Sequence, residues 1–205
     1  MRLPKGYLGI CHKNSIAFTV PAALEWTHSV LSSGATLYDW ANQHSTKEML
    51  AGRGRVFIFP AVCSTENATH WIVRHYQRGG ILARHLDDRY LVTRTPRPLK
   101  ELQASVEAHS RGIPTPRIIA GAAYRSGVFY RAELVTEYLS DVTDLASVVF
   151  GVNERNMAFC TTALHAAGKL VSLLEKERVA HADLNASNIL VNQFGGTSSA
   201  HVIDL

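Results

Sequence analysis

The residues best suited to chemistry lie near the end of the chain, in the segment His181-Ala-Asp183-Leu-Asn-Ala-Ser-Asn188. This segment reads H-x-D-L-x-x-x-N, an apolar run follows it, and a second apolar run ends at Asp204. In phosphoryl transfer an aspartate accepts the proton of the attacking hydroxyl, while an asparagine and a further aspartate hold the metal. The spacing therefore predicts an ATP-dependent phosphotransferase, with Asp183 as catalytic base and Asn188 and Asp204 as metal ligands.

Each of these residues also has a purely structural interpretation. An aspartate in a short loop often caps a turn with its side chain, and an Ile-Asp pair at a strand end such as Ile203-Asp204 is common. Zinc is disfavoured because His181 and Asp183 have no further ligand at zinc spacing. Amide and carboxylate oxygens suit Mg²⁺, and we expect His181 to support the loop through a backbone contact.

A second group of candidates, earlier in the chain, has the character of a nucleotide phosphate site. Arg74 ends the strand-like run Trp71-Ile-Val-Arg74, where kinases carry a lysine, and a guanidinium can clamp phosphate oxygens. Glu101 lies on a following amphipathic helix and is spaced to pair with Arg74. Gly52-Arg-Gly54 would let backbone N–H groups approach phosphates. The alternatives are an exposed strand arginine, a solvated helix charge and a simple turn.

The elements that position the second group are predicted from local pattern. Residues 55–59 and 71–76 are rich in β-branched and aromatic residues and read as strands joined by a hairpin turn at 64–67. Leu99, Leu102 and Val106 recur at helical spacing between Pro98 and Gly112, which predicts an amphipathic helix. The prolines in 113–117 then predict an extended connector.

The elements around the first group follow the same reasoning. Residues 128–130 and 133–138 read as a pair of strands. Residues 156–174 read as a helix whose apolar residues lie near one face, namely Phe159, Leu164, Ala167, Leu170, Val171 and Leu174. A loop at 179–188 and a hairpin at 189–204 close the chain. We therefore predict an α+β, protein-kinase-like two-lobe fold. Residues 1–50 would be an N-terminal extension packed as short helices or turns, 51–140 the N-lobe, and 141–205 a partial C-lobe with the catalytic loop.

The composition of the chain limits which other classes of protein are expected. The chain has 205 residues, 46% of them hydrophobic and 19% charged, with a net charge of +4, which is ordinary for a globular domain. The basic residues form no stripe interleaved with aromatics, so a nucleic-acid partner is not expected. Three widely separated cysteines predict no disulfide framework or zinc site. No secretory signal and no run of membrane-spanning length is recognised, which predicts a cytoplasmic protein with peripheral membrane contact left open.

Three segments together resemble one bacterial family. Trp71-Ile-Val-Arg-His-Tyr-Gln-Arg-Gly-Gly80, Gly112-Ile-Pro-Thr-Pro-Arg117 and the His181–Leu190 segment are similar to the 3-deoxy-D-manno-octulosonic acid (Kdo) kinases, a lipopolysaccharide kinase family of protein-kinase-like fold. The first and third segments are specific, and the second is supporting. The resemblance runs from about Gly52 to Asp204, and an arginine at the position of Arg74 is usual in the family.

The resemblance implies transfer of the γ-phosphate of ATP, with Mg²⁺, to the 4-hydroxyl of a Kdo residue on a Kdo–lipid A precursor. It also implies peripheral attachment to the cytoplasmic face of the inner membrane of a Gram-negative bacterium. The family continues past the position of Asp204, so the predicted C-lobe is truncated. A non-catalytic nucleotide- or lipid-binding remnant is therefore one alternative. A small-molecule kinase of the aminoglycoside or choline type is another.

Overall fold

The computed structural model describes residues 2–51, 54–65, 68–77, 88–151, 157–194 and 197–205. The chain forms two compact units, one of Met1–Gln103 with Arg117–Tyr138 and one of Ala104–Pro116 with Leu139–Leu205. Each unit has its own hydrophobic core, and each contains helices and strands. The fold is thus of mixed α and β class, as the sequence predicts.

The first unit is built on an antiparallel sheet. Its strands are β1 (Leu8–His12), β2 (Ser15–Thr19), β3 (Lys47–Ala51), β4 (Gly54–Thr65), β5 (Ala68–His75), β6 (Tyr90–Leu91), β7 (Ile118–Ser126) and β8 (Phe129–Glu137). Across the described residues the order is β1-β2-β7-β8-β5-β4-β3, and β6 pairs with β8. Arg74 of β5 lies opposite Leu134 of β8, so the candidate phosphate ligand sits on an interior strand, where its backbone is held on both sides.

Two N-terminal helices complete the core of this unit. They are α1 (Leu24–Ser32) and α2 (Leu37–His44), and their apolar residues belong to the same buried cluster as those of β4, β5, β7 and β8. Trp26 contacts the rings of Trp40 and Trp71 at centroid distances of 5.4 and 5.5 Å. Such edge-to-face contacts add to the burial of large aromatic surfaces. The first fifty residues are therefore part of the folded unit.

Gly121 on β7 shows how closely this sheet is packed. It lies opposite Phe18 of β2, and a Cβ added at Gly121 would stand 2.4 Å from Phe18 Cζ and 3.1 Å from Leu134 Cδ1. Phe18 is almost fully buried. The absence of a side chain at Gly121 therefore provides the space that the ring occupies.

The predicted amphipathic helix is confirmed as α3 (Arg97–Ser110). Pro98 lies in its first turn, where its missing N–H costs nothing. Gly112 follows its end with φ of +73°, a conformation that glycine adopts without strain. Residues 113–117 lie outside helices and strands, in agreement with the predicted connector, and the Pro114 carbonyl accepts a 2.9 Å hydrogen bond from the Val202 N–H.

The second unit is a small helix-backed sheet. It contains β9 (Val142–Asp144), α4 (Leu145–Phe150), α5 (Met157–Lys176), β10 (Ile189–Phe194) and β11 (Thr197–Val202), with the strands in the order β11-β10-β9. Small residues on α5 let the helix approach the hairpin, and its buried positions are Cys160, Ala163, Ala166, Ala167, Leu170 and Leu174. The hairpin therefore packs closely on α5. Asn188 directly precedes its first strand, and Asp204 follows its second strand.

By length and composition alone, α5 could also cross a membrane, since its most apolar window has a mean hydropathy of 1.3. A core helix passes the same test, and a third of that window is buried in the unit. The predicted apolar face is partly wrong. Ala167, Leu170 and Leu174 are buried, whereas Leu164 and Val171 are exposed, because the helix turns its alanines toward the hairpin.

Other predictions need correction. The runs at 128–130 and 133–138 are not a strand pair but one continuous strand, β8, and its hairpin partner is β7. Burial alternates over Tyr130-Arg131-Ala132 and is then continuous from Ala132 to Val135, so no single period marks the whole strand in the sequence. The first fifty residues contain β1, β2 and most of β3 besides the predicted short helices. Gly52, the last three residues of the family-like segment 71–80, and part of the turn at 64–67 lie outside the described residues.

Candidate active site

The second group of candidate residues, Arg74, Glu101 and Gly54, lies in the sheet unit and centres on Glu101. One carboxylate oxygen of Glu101 contacts Arg74 Nη2, as the sequence predicts. The other oxygen accepts a 2.6 Å hydrogen bond from the Tyr76 hydroxyl. The Glu101 side chain is only 14% exposed and that of Arg74 28%, so both charges are largely removed from water. Charge-assisted contacts in such surroundings hold a guanidinium in one orientation.

Tyrosine rings also contact the arginine side chains of this group. The Arg74 guanidinium lies 5.2 Å from the centre of the Tyr76 ring, and that of Arg97 lies 5.5 Å from the same ring. Arg97 also lies over Tyr90 at 5.3 Å. Cation–π contacts of this kind restrict the arginines without neutralising them. Sequence reasoning did not identify Tyr76 or Arg97, although Tyr76 stands two residues after Arg74 and so shares its face of the sheet.

Gly54 is the described member of the predicted glycine pair. It begins β4, and a Cβ there would stand 2.8 Å from Gln77 Nε2. The glycine therefore allows a close approach to the end of β5. The part of the prediction that concerns Gly52 lies outside the described residues.

The first group, Asp183, Asn188 and Asp204, lies in the hairpin unit, on the loop between α5 and β10 and at the end of β11. Two asparagine side chains converge on the Asp183 carbonyl oxygen, Asn185 Nδ2 at 3.0 Å and Asn188 Nδ2 at 2.8 Å. Asn185 Oδ1 in turn accepts from the Ser187 N–H at 2.9 Å. The backbone of the loop is thus fixed by its own side chains, while the Asp183 carboxylate is exposed. Asn185 was not predicted from sequence, though Asx turns are its usual role.

His181 joins this loop to the end of the hairpin. Its Nε2 lies 2.8 Å from the Ile203 carbonyl oxygen, and its Nδ1 accepts the Asp183 N–H at 3.2 Å. The ring therefore donates through Nε2, because one nitrogen must accept while the other donates. The backbone contact expected of His181 is present, and it connects the residues before Asp183 with those before Asp204.

Asn188 and Asp204 are brought together by the hairpin. The Ile203 N–H donates to the Asn188 carbonyl at 3.0 Å, so Asp204 follows directly after the strand that pairs beside Asn188. Asp204 has a φ of +63°, a left-handed conformation that aspartate tolerates better than most residues. This backbone turn redirects the chain at the residue that the sequence singles out as a metal ligand.

These two residues fit a hard divalent cation. Because Asn188 Nδ2 donates to the Asp183 carbonyl, its amide oxygen Oδ1 is left as an acceptor. Asp204 adds a carboxylate on the neighbouring segment. One amide oxygen and one carboxylate, completed by phosphate and water oxygens, is the donor set that Mg²⁺ takes in phosphotransferases. Within the described ranges no group of three or more His, Cys, Asp or Glu side chains is placed so that it could hold a metal ion by itself.

A separate polar cluster in the sheet unit was missed by sequence reasoning. Glu133 on β8 is 2% exposed, and its Oε2 accepts from the Tyr38 N–H at 3.0 Å and the Tyr124 hydroxyl at 2.8 Å. His75 Nδ1 lies 3.5 Å from the other Glu133 oxygen, and His75 Nε2 lies 2.9 Å from Asp88. Glu133 thereby caps the first turn of α2 from the sheet. A lone glutamate in an apolar strand is the signal that could have revealed it.

The electrostatics of this cluster follow from burial. Burial and the adjacent Glu133 carboxylate raise the pKa of Tyr124 well above its ordinary value, so the phenol remains a donor. Burial lowers the pKa of His75, but the hydrogen bonds and charges of Glu133 and Asp88 outweigh it, and the net pKa is raised. The cluster therefore favours a protonated His75 between two carboxylates.

Comparison with known proteins identifies the class to which this fold and these residues belong. The sequence profile of the lipopolysaccharide kinase (Kdo/WaaP) family matches residues 39–205. The chain therefore belongs to this family.

Its relatives include named kinases. A 3-deoxy-D-manno-octulosonic acid kinase of Xylella fastidiosa (strain 9a5c) is 36% identical over 154 residues, covering 74% of this chain and 57% of that protein. The protein of the same name from Xanthomonas euvesicatoria pv. vesicatoria (strain 85-10) is 37% identical over 129 residues, covering 62% and 49%. The chain thus spans about half the length of these relatives.

A solved structure shares the fold. The structure titled "WaaP in complex with acyl carrier protein" aligns with a TM-score of 0.50 and 18% identity, over 88% of this chain and 68% of that one. At this identity the likeness concerns the fold alone.

Proposed function

We propose that the protein is an ATP-dependent kinase of two-lobe, protein-kinase-like fold that phosphorylates the 4-hydroxyl of a Kdo residue on a Kdo–lipid A precursor. The observation that carries the proposal is the loop at 181–188. Two asparagines and one histidine hold the backbone of Asp183 while leaving its carboxylate exposed. This is what a base needs when it must meet a hydroxyl on a large substrate.

Each described residue then has a role. Asp183 would orient the acceptor hydroxyl and accept its proton. Asn188 Oδ1 and the Asp204 carboxylate would hold Mg²⁺, which when bound neutralises charge on the phosphates. Arg74, oriented by Glu101 and Tyr76, would bind phosphate oxygens. His181 would keep the Asp183 segment and the Asp204 segment in fixed register.

The names of the relatives support the acceptor. The curated relatives named above are Kdo kinases, and the two specific sequence segments include Arg74 and the whole of the 181–188 loop. The intact loop geometry favours an enzyme over a remnant, because a protein without catalytic activity has no need of an exposed base held at three points. We further propose that the protein works at the cytoplasmic face of the inner membrane, where a lipid-linked acceptor would be met.

The test is transfer of radiolabelled phosphate from ATP to a Kdo–lipid A precursor by the chain, beside the Asp183→Asn variant. Removing a general base costs roughly a hundred- to ten-thousand-fold in rate, while binding of Mg²⁺ and ATP should remain. Glu175→Gln is the matched control, since it also exchanges a carboxylate for an amide at an exposed position of the same unit. Equal turnover by Asp183→Asn and Glu175→Gln would remove Asp183 from the base role. Nucleotide binding without transfer would refute the acceptor assignment.

A further inference from the structure

An exposed apolar edge stands beside the polar cluster of the sheet unit. Val128 is 65% exposed, Leu91 54% and Val92 42%. They are neighbours, because β6 pairs with β8 at Leu91 and Phe129 and the Val92 N–H donates to the Val128 carbonyl at 2.9 Å. Single exposed aliphatic residues are ordinary on protein surfaces, whereas neighbouring ones rimmed by polar residues are a feature of interaction surfaces.

Arginines surround this edge. The two chain segments that form it, 89–95 and 125–131, contain Arg89, Arg94, Arg125 and Arg131 and no acidic residue. All four arginines are exposed. Among the described residues, Arg89 and Arg94 form no ion pair, whereas Arg131 pairs with Asp88. Segments 89–95 and 125–131 are called the β6–β8 edge from here on.

Three of these arginines also line a cavity of about 460 Å³ that opens next to the edge, together with Phe129. They are Arg89, Arg125 and Arg131. The cavity is large enough for a phosphate group with part of its ester.

The carboxylates of this cavity do not cancel its positive charge. Asp88 is bound by Arg131 at 2.7 Å and by His75 at 2.9 Å. Glu133 is bound by a backbone N–H and a tyrosine hydroxyl. Asp39 lies in the first turn of α2, where the positive end of the helix dipole offsets it. Two of the arginines are therefore left to meet an external anion.

We propose that the β6–β8 edge docks on an anionic phospholipid surface, with its aliphatic side chains entering the headgroup region and its arginines contacting lipid phosphates. The inference rests on the proposed function, which requires a lipid-linked acceptor. A bilayer fits better than nucleic acid, because the exposed apolar residues are aliphatic and offer no surface for base stacking. It also fits the long arginine side chains, which reach phosphates while their stems lie along apolar surface.

The experiment is co-sedimentation of the chain with vesicles of phosphatidylethanolamine and phosphatidylglycerol, and with vesicles of phosphatidylcholine. Binding to the anionic vesicles only, weakened by added salt, is expected. The paired change Arg89→Gln with Arg94→Gln should weaken binding roughly 25-fold, at about fivefold for each charge. Val128→Asn should weaken it about tenfold, since an apolar side chain no longer enters the lipid.

Matched controls lie elsewhere in the first unit. Leu8→Gln changes an aliphatic residue that is 41% exposed on β1, and Lys100→Gln removes an exposed charge from α3. Both should bind vesicles like the unchanged chain, and thermal unfolding should confirm that every variant is folded. Equal binding to neutral vesicles, no binding to anionic ones, or equal losses in edge variants and controls would each overturn the proposal. So would binding of the edge to an acidic protein without binding to vesicles.

Docking and catalysis can fail separately. Transfer to an acceptor dispersed in detergent needs no bilayer, so edge variants should retain that activity. If the chain transfers phosphate in detergent but does not bind anionic vesicles, the proposed docking surface is refuted and the proposed kinase function is supported. If it binds the vesicles but transfers nothing, the proposed function is wrong and the docking surface stands.

Discussion

Asn188 is expected to have two separable roles, and a pair of substitutions distinguishes them. Its Nδ2 donates a 2.8 Å hydrogen bond to the Asp183 carbonyl, and its Oδ1 is the proposed Mg²⁺ ligand. Asn188→Ala removes both. Asn188→Asp removes the donor but keeps an oxygen at the same place. We therefore expect Asn188→Asp to lose at least as much stability as Asn188→Ala, because its second carboxylate oxygen would face the Asp183 carbonyl oxygen, and we expect very different effects on metal-dependent nucleotide binding.

The size of the stability loss follows from one hydrogen bond at a half-exposed position. Such a bond contributes about 1 kcal/mol net, which in a protein of this size lowers the melting temperature by about 2–4 °C. Circular dichroism on heating measures that change. The loop has other contacts through His181 and Asn185, so neither variant should unfold it.

Metal dependence is measured by titrating Mg²⁺ against a fluorescent ATP analogue. Asn188→Ala should raise the Mg²⁺ concentration at half-saturation at least tenfold, because one of two protein ligands is lost, whereas Asn188→Asp should leave it within a few-fold of the unchanged chain. A normal Mg²⁺ requirement in Asn188→Ala would refute the ligand role. Full thermal stability in both variants would refute the contribution of the hydrogen bond.

Two further predictions concern the sheet unit. The raised pKa of His75 means that its protonated form stabilises the fold below the ordinary histidine pKa, and that this contribution is lost as pH rises through the folded-state value. The stability difference between the unchanged chain and His75→Gln should therefore shrink between about pH 6 and about pH 8 in urea unfolding. Gly121→Ala should destabilise the chain by about 1–3 kcal/mol through overpacking. Gly168→Ala, on α5 with nothing within 4 Å of the new Cβ, should stabilise it by about 0.5–1 kcal/mol.

Opposite results would be informative in each case. A constant stability difference across that pH range would show that His75 does not change charge between Glu133 and Asp88. If Gly121→Ala melted at the same temperature as the unchanged chain, the ring of Phe18 would have room to move, and the sheet would be less tightly packed than the distances indicate.

Most of the candidate site could be predicted from sequence because its residues are close together in the chain. Asp183 and Asn188 lie in one loop, and Asp204 lies one hairpin later, so a spacing pattern suffices to group them. The contact between Arg74 and Glu101 spans 27 residues, and it was predictable because a strand followed by an amphipathic helix limits where the helix charge can lie. The spacing of residues within short segments was therefore enough to predict these candidate catalytic, metal-binding and phosphate-binding residues.

The parts that sequence reasoning missed depend on partners far apart in the chain. The pairing of β2 with β7 joins residues about a hundred positions apart, and Glu133 caps a helix 95 residues earlier. Neither leaves a periodic signal, because the cap donors are backbone N–H groups that every sequence has. The sequence prediction divided β8 into two strands because its partner β7 could not be identified from local pattern, and pairing with β7 is what shows that the strand is continuous.

The N-terminal elements of the sheet unit have a consequence for the design of shortened fragments of this protein. The region of family similarity begins at residue 39, inside the helix Leu37–His44 and after both strands of the N-terminal hairpin. An expression fragment trimmed to that boundary would lose the hydrogen bond from the Tyr7 hydroxyl to the Ile118 carbonyl and the strand β2 that pairs with β7. It would also lose the residues of β2 and α1 that belong to the same buried cluster as Trp71 and Val73. Aromatic and aliphatic residues of the sheet, including Trp71 and Val73, would then be exposed to solvent, and we expect the fragment to aggregate. Inactivity of such a fragment would then reflect its misplaced end rather than its chemistry.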